Sequence, residues 1–202
     1  THTGATHGLG LLTKKLTPQV KLVVSRRVDF HINKNPLSKR KYYSDKIDYF
    51  LTVSNRIKEV LIEDGINPEK VITVYSGIDL KKFETIGDKE KLIKEFNLDK
   101  DTVIIGNVAA LVDHKDQETL LRAIPQIQTE KDFKFFIVGS GELETKLKNL
   151  AKELNIENKV IFTGFRNDVI DFYALFDIFT LTSKEEGLGT SVLDAMANSL
   201  PI

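Results

Sequence analysis

"FKFFIVGSGELETKLKNLAKELNIENKVIFTG" (residues 133–164) decides the fold. It opens on the apolar run FKFFIVG (133–139) and closes on a second, KVIFTG (159–164). Between them Leu143, Leu147, Leu150, Ala151 and Leu154 fall on one helical stripe. Glu142/Lys146 and Glu144/Lys148 are spaced for i,i+4 pairs along its flank. A strand, a helix and a strand within one short stretch form a βαβ unit, whose two strands run parallel. The runs are nearly continuous in apolar residues, as expected of parallel strands buried on both faces.

Outward from this unit the pattern repeats. Further strands are expected at KLVVS (21–25), DYFLTVS (48–54), KVITVYS (70–76), TVIIGNVA (102–109) and DIFTLTS (177–183). SNRIKEVLIEDG (54–65) reads as a helix capped by Ser54 and stopped at Gly65. The alternation predicts an α/β, doubly wound parallel sheet. It breaks near SGIDLKKFETIGDKEK (76–91), which places a hinge at about residues 77–87. The charge changes sign there. Residues 1–83 hold 15 Lys and Arg against 8 Asp and Glu, a net +7, and the rest of the 202 residues balances it. A basic first half calls for an anionic partner, phosphates or anionic lipid, and no nucleic-acid motif accompanies it.

Composition excludes several classes. There are no cysteines, hence no disulfide or thiolate metal site, which fits a reducing cytoplasm. Four scattered histidines make no zinc motif, and no apolar run reaches the ~20 residues of a membrane span. No signal peptide is evident. DKD (99–101) has the form of a metal-binding D-x-D but precedes a strand; it reads as a turn, and no metal is expected.

Ligands of open α/β sheets bind beyond the carboxyl ends of the strands. Small residues recur there: Gly77, Gly106, Gly139-Ser140-Gly141, Gly164 and Ser183. Four glycines in successive units suggest a crevice where backbone approaches a ligand. A dinucleotide fingerprint is not met, because VGSGELE lacks the third glycine of G-x-G-x-x-G, and no Walker lysine pattern occurs. After DIFTLTS, Glu186 precedes Gly187 and Gly189, and Thr190-Ser191 open a helix whose free N–H groups suit a diphosphate. Asp194 follows eight residues after Glu186. It is placed to hold ribose hydroxyls, while Ser191-Val-Leu-Asp194 also reads as a capping box. Both readings stand.

YFLTVSNRIKEVLIEDG (49–65), VITVYSGIDLKKF (71–83), FFIVGSGE (135–142), VIFTGFRNDVIDFYALFDIFTLTS (160–183) and EEGLGTSVLDAMANSLPI (185–202) resemble, in order and spacing, glycosyltransferase family 4 (group 1). The resemblance implies a GT-B fold of two Rossmann-like domains with parallel sheets, both incomplete here. Residues 1–80 would be the C-terminal part of the acceptor-side domain, and 81–202 the N-terminal part of the donor domain. Thr1 and Ile202 would then be cut points of a longer chain. The family's E-x7-E motif falls on Glu186 and Asp194, with Asp for the second Glu. Gly187, Leu188, Gly189 and Thr190 match the backbone that holds donor sugar and phosphate. Gly164, Phe165 and Arg166 match the loop over which the nucleotide base lies. Lys115 matches the lysine on the donor diphosphate, whereas the companion arginine position is Ala110; Arg166 is a candidate replacement cation, and His114 reads as a solvated loop residue.

In the first half, Arg26 or Arg27 would stand at the rim near an anionic acceptor, with His2 or His7 close by. The basic run 34–46 reads as a solvated helix or a contact with anionic membrane. The function implied is sugar transfer with retention from a UDP- or GDP-linked donor to an acceptor sugar or lipid-linked acceptor, in cell-surface polysaccharide or glycolipid synthesis. It would need no metal and no cofactor besides the donor, and no enzymic nucleophile. The location implied is cytoplasmic, peripheral at the inner face of the membrane. A nucleotide-sugar 2-epimerase and a non-catalytic nucleotide-sugar-binding relative are the alternatives.

Overall fold

The computed structural model describes residues 4–85 and 87–202. They cluster into two compact units: the residues up to Ser76 together with Glu185–Leu188, and Gly77–Lys184 together with Gly189–Ile202.

The first unit contains α1 (Gly4–Leu16), β1 (Val23–Arg26), α2 (Pro36–Tyr42), β2 (Tyr49–Thr52), α3 (Asn55–Glu63) and β3 (Val71–Thr73). The strands form a parallel sheet in the order β1-β2-β3, with Val24, Phe50 and Val71 side by side. These three, with Leu22, Ile47 and Leu61, make its core. Ser54 caps α3 by accepting from the Ile57 N–H at 3.4 Å, and Gly65 beyond its end has φ of 90°. One expectation is corrected here. The strands are not buried on both faces: Val23, Ser25 and Leu51 are half-buried, and Tyr49 and Ile72 are exposed. The core packs on one face only, so burial follows the strand's period of two.

The second unit contains α4 (Lys89–Glu95), β4 (Val103–Val108), α5 (Gln117–Ala123), β5 (Phe133–Val138), α6 (Glu144–Glu153), β6 (Val160–Gly164), α7 (Val169–Leu175), β7 (Ile178–Phe179) and α8 (Thr190–Ala197). Its sheet is parallel in the order β6-β5-β4-β7. Here burial is two-sided. On β5, Phe133, Phe135 and Ile137 enter one core with Leu120 and Leu121 of α5 and Leu147 and Leu150 of α6. Phe136 and Val138 enter the other, with Leu92 of α4, Phe172 of α7 and Ala195 of α8. Phe136 lies edge-on to Phe96, ring centres 5.0 Å apart. Continuous apolar runs, helices on both faces and a doubly wound sheet are one physical fact.

Two local expectations are adjusted. β7 pairs over two residues only, and Thr180 to Ser183 leave the sheet after the Thr180 N–H donates to Gly106 O. On α6 the Glu144–Lys148 pair forms at 2.7 Å, but Lys146 reaches Glu118 of α5 at 2.9 Å instead of Glu142, because its side of the helix faces α5. Residues 99–101 form the expected turn, with the Asp101 N–H donating to Asp99 Oδ1 at 3.1 Å.

The glycine crevice is also corrected. A Cβ on Gly106 would overlap the Phe176 ring, and one on Gly139 or Gly141 would overlap the carbonyl of Ala109 or Leu111. These three let protein pack on protein. Gly164, at φ of 70°, has open space where its Cβ would stand. Gly139, at φ of 140°, and Gly164 therefore differ in what a methyl group would meet. Gly139→Ala adds overlap to backbone strain and is expected to cost at least about 3 kcal/mol. Gly164→Ala meets strain alone, about 1 kcal/mol. Thermal unfolding checks this: the first variant should melt well below the second, which should lie within about 4 °C of the parent.

Candidate functional site

The carboxyl ends of the second unit's strands carry a stitched set of loops. Ala109 N–H donates to Val138 O at 3.1 Å, Leu111 N–H to Ser140 O at 3.0 Å, and Gly139 N–H to Gly164 O at 2.9 Å. Leu143 N–H returns to Leu111 O at 3.0 Å. Two buried amides tighten the set. Asn107 Nδ2 donates to Thr180 O at 2.8 Å, and Gln117 Nε2 to Ala110 O at 3.1 Å. Each amide oxygen lies buried without a hydrogen-bond partner among the described residues, so both residues are held for what their nitrogens clasp.

Lys115 ends a short turn in the loop after β4 and is half-buried. Its neighbours are fixed on either side. His114, itself exposed, accepts from Lys184 N–H at 2.9 Å, and Asp116 O accepts from Thr182 Oγ1 at 2.9 Å. Asp116 stands in the left-handed region, φ of 48°, where its carboxylate accepts from Thr119 Oγ1 at 2.8 Å. A strained, over-bonded residue next to a cation is the kind of backbone that holds one side chain in one place.

Beside this loop lies a pocket of about 260 Å³. Val108, Ala109, Ala110, Val138, Gly139 and Ser140 line it, with Phe165, Arg166 and Val169. Its lining is largely apolar, and Phe165 is 72% exposed. A flat apolar slot with a free aromatic ring suits a planar base. Arg166 is not a spare cation, which corrects that expectation. Its guanidinium donates to Asp168 at 2.8 and 2.7 Å and to Glu95 at 2.6 and 3.0 Å, and it covers the Phe172 ring at 5.1 Å. These carboxylates, Asp168 first, raise its pKa further.

α8 begins at Thr190 after Gly189, whose φ of 62° turns the chain into the helix. The capping box does not form: Ser191 is the second helical residue, and no side chain caps this end. Asp194 thus lies one turn in, half-buried, with no side-chain hydrogen bond among the described residues. Burial raises its pKa, with Lys82 partly offsetting it. Lys115, Gly164, Phe165, Arg166, Gly189, Thr190 and Asp194 all belong to this unit. Glu186, Gly187 and Leu188, half-buried, cluster with the first unit, where a Cβ on Gly187 would overlap Arg27 O.

In the first unit the rim expectations change. Arg26 is buried, donating to Tyr42 Oη at 2.8 Å and to Phe30 O; Arg27 is exposed. His7 is buried, edge-on to Tyr42 at 4.9 Å, and its pKa is held down to about 4, by burial first and then by Lys41. His2 lies outside the described residues. The basic run forms α2, capped by Asn35, with Lys39 and Arg40 exposed. Among the described residues no helix is long and apolar enough to cross a membrane, and no three metal-ligating side chains cluster.

The family described as "Glycosyl transferases group 1" matches residues 88–202. Among curated proteins, the chain is 34% identical over 158 residues to N-acetylgalactosamine-N,N'-diacetylbacillosaminyl-diphospho-undecaprenol 4-alpha-N-acetylgalactosaminyltransferase of Campylobacter jejuni, covering 78% of this chain and 41% of that protein. It is 30% identical over 160 residues to UDP-Gal:alpha-D-GlcNAc-diphosphoundecaprenol alpha-1,3-galactosyltransferase of Escherichia coli, covering 75% and 41%. The chain thus spans about two fifths of the length of these relatives. Anabaena HepE in complex with UDP-glucose shares its fold, with a TM-score of 0.83 at 21% identity over 98% of this chain and 57% of that one. The fold is α/β of the GT-B type.

Two measurements follow from the buried titratable groups. A carboxylate whose folded pKa is raised loses stability as pH rises through its ordinary value toward the folded one. Asp194→Asn should therefore raise the melting temperature at pH 7 by about 1–3 °C, a gain that fades on acidification toward pH 4. His7 has the opposite sign. Its depressed pKa keeps full stability above about 6.5 and loses up to about 1.4 kcal/mol per pH unit down to about 4. His7→Phe should flatten that part of the pH–stability curve.

Proposed function

This chain belongs to the group 1 glycosyl transferases, and we propose that it moves a sugar from a nucleotide-sugar donor to an acceptor with retention, in the synthesis of a cell-surface glycan or glycolipid. The observation that carries this reading is the carboxyl edge of the second unit's sheet, where Lys115 and the Phe165 pocket stand on loops bonded to one another.

In this reading the pocket takes the nucleotide base, and the N–H groups at the start of α8, from Gly189 and Thr190, face the diphosphate. Asp194 accepts from the ribose hydroxyls, which offsets the cost of holding its charge half-buried. Glu186 holds the donor sugar, with Gly187 and Leu188 as backbone contacts. Lys115 neutralises charge on the departing nucleoside diphosphate, the largest electrostatic task in breaking the sugar–phosphate bond. With Ala110 apolar and Arg166 committed to two carboxylates, that task falls on Lys115 and the helix end. No metal and no cofactor besides the donor enter the scheme. The donor is UDP- or GDP-linked: the E. coli relative is named for a UDP-linked donor, and a Corynebacterium glutamicum relative, 33% identical, for GDP-mannose.

Both curated relatives named above act on undecaprenol-linked substrates by name, which supports a lipid-linked acceptor. An acceptor of that kind suits a protein peripheral to the inner face of a membrane, with Lys39 and Arg40 of α2 toward anionic lipid. Residues 1–80 would then be the C-terminal part of the acceptor-side domain and 81–202 the N-terminal part of the donor domain.

The test is donor binding, then turnover. UDP at 100 times its dissociation constant should stabilise the protein by about 2.7 kcal/mol, read as an upward shift in melting temperature. In the full-length enzyme, Lys115→Ala and Glu186→Ala should each lower turnover by about a hundredfold or more. Unchanged turnover in both variants overturns the assignment of roles. Nucleotide-sugar binding with neither transfer nor hydrolysis would make the protein a binding relative instead.

A further inference from the structure

The pocket's exposed ring is held from outside the pocket. Phe165 follows Gly164, whose left-handed backbone has no neighbour within 4 Å of a Cβ, and precedes Arg166. On one side the chain ends β6, where Gly164 O accepts from Gly139 N–H at 2.9 Å; on the other it is pinned through the Arg166 side chain. Arg166 takes both oxygens of Glu95, the last residue of α4, at 2.6 and 3.0 Å. Its other partner, Asp168, lies two residues along its own loop and is held in turn by Lys91 of α4. Glu95 is thus the α4 side chain that holds Arg166 directly. α4 is itself seated on α7: Lys91 bridges Asp168 at 2.6 Å and Asp171 at 3.1 Å, and the Asp88 N–H donates to Asp171 Oδ1 at 2.9 Å.

We propose that Glu95, which is not itself part of the pocket lining, is a positioning residue for nucleotide-base binding, fixing the Phe165 ring through its paired hydrogen bonds to Arg166. This rests on reading the pocket as the base site. Magnitudes separate position from stability. The Glu95–Arg166 pair is only partly buried, and ion pairs of that kind contribute at most about 1 kcal/mol to folding. A base stacked on an aromatic ring is worth about 1–3 kcal/mol, which is lost when the ring points elsewhere. Removing Glu95 should accordingly leave the fold in place and loosen the base.

The experiment is calorimetric titration of the full chain with UDP and with GDP, following whichever binds more tightly, and with inorganic pyrophosphate, which has no base. Phe165→Ala should weaken nucleotide binding about tenfold. Glu95→Gln should weaken it about three- to tenfold, with pyrophosphate affinity unchanged and the melting temperature within about 4 °C of the parent. In the Phe165→Ala background, Glu95→Gln should add nothing, because the ring through which it acts is gone. Glu95→Asp, which keeps the charge on a shorter arm, should recover part of the loss and serves if Glu95→Gln fails to fold. If Phe165→Ala binds nucleotide as the parent does, the base-site reading falls and this proposal with it. If Phe165→Ala weakens binding but Glu95→Gln does not, adds in full to it, or weakens pyrophosphate equally, the base site stands and the positioning role of Glu95 is overturned.

Discussion

The backbone from Ala109 to Leu111 lies directly on the backbone from Gly139 to Gly141, and the second unit's site depends on that contact. No side chain fits at Gly139 or Gly141 because the carbonyls of Ala109 and Leu111 occupy the space. Backbone so close must satisfy its own polar groups, and it does, through Leu111 N–H to Ser140 O and Leu143 N–H to Leu111 O. The loop after β4 is thereby laid across the end of β5, forming one wall of the pocket and leading to Lys115. Thr182 and Lys184 then hold the residues flanking Lys115 from the β7 side. A loop this heavily bonded behaves as part of the scaffold, which is what a site needs if its charge is to be in place before a ligand arrives.

The charged and polar groups sort by whether they have partners. Arg26 and Arg166 each donate to protein acceptors and lie over aromatic rings, and the charge of Arg166 is matched by Glu95 and Asp168. His7 is kept neutral by burial against Tyr42. Asp194 is different. It is half-buried, raised in pKa by that burial, and without a side-chain hydrogen bond among the described residues. A carboxylate held at such a cost marks a place where stability has been given up, and a hydroxyl-bearing ligand would restore it.

The two sheets make the same point about patterning. Both are parallel, and both were legible as short apolar runs. In the second, β4 and β5 have helices on each face and are buried along most of their length. In the first, the same kind of run is buried on one face, and Tyr49 and Ile72 stand exposed. Sequence pattern reports what a strand can bury; the surroundings decide what it does bury.

By itself the sequence determined the strand and helix order, the doubly wound α/β class, the Ser54 cap and the family, because apolar spacing, turn residues and motif order are local properties. The family resemblance pointed to Lys115, Glu186, Asp194 and the Gly164–Arg166 loop. Tertiary structure alone decided which of the expected cations is committed to the frame. Arg166 looked like a spare cation until Glu95, 71 residues away, was found across from it. Gly139 read as a glycine kept for close approach to a ligand until the Ala109 carbonyl was found where its Cβ would stand. The Ser191 capping box failed because Gly189 turns the chain into α8 one residue before Thr190. Asn107 gave a faint signal as an amide in an apolar strand, whereas nothing marked Gln117 or Thr182. Partnership between distant residues depends on how elements pack, and no local pattern encodes it.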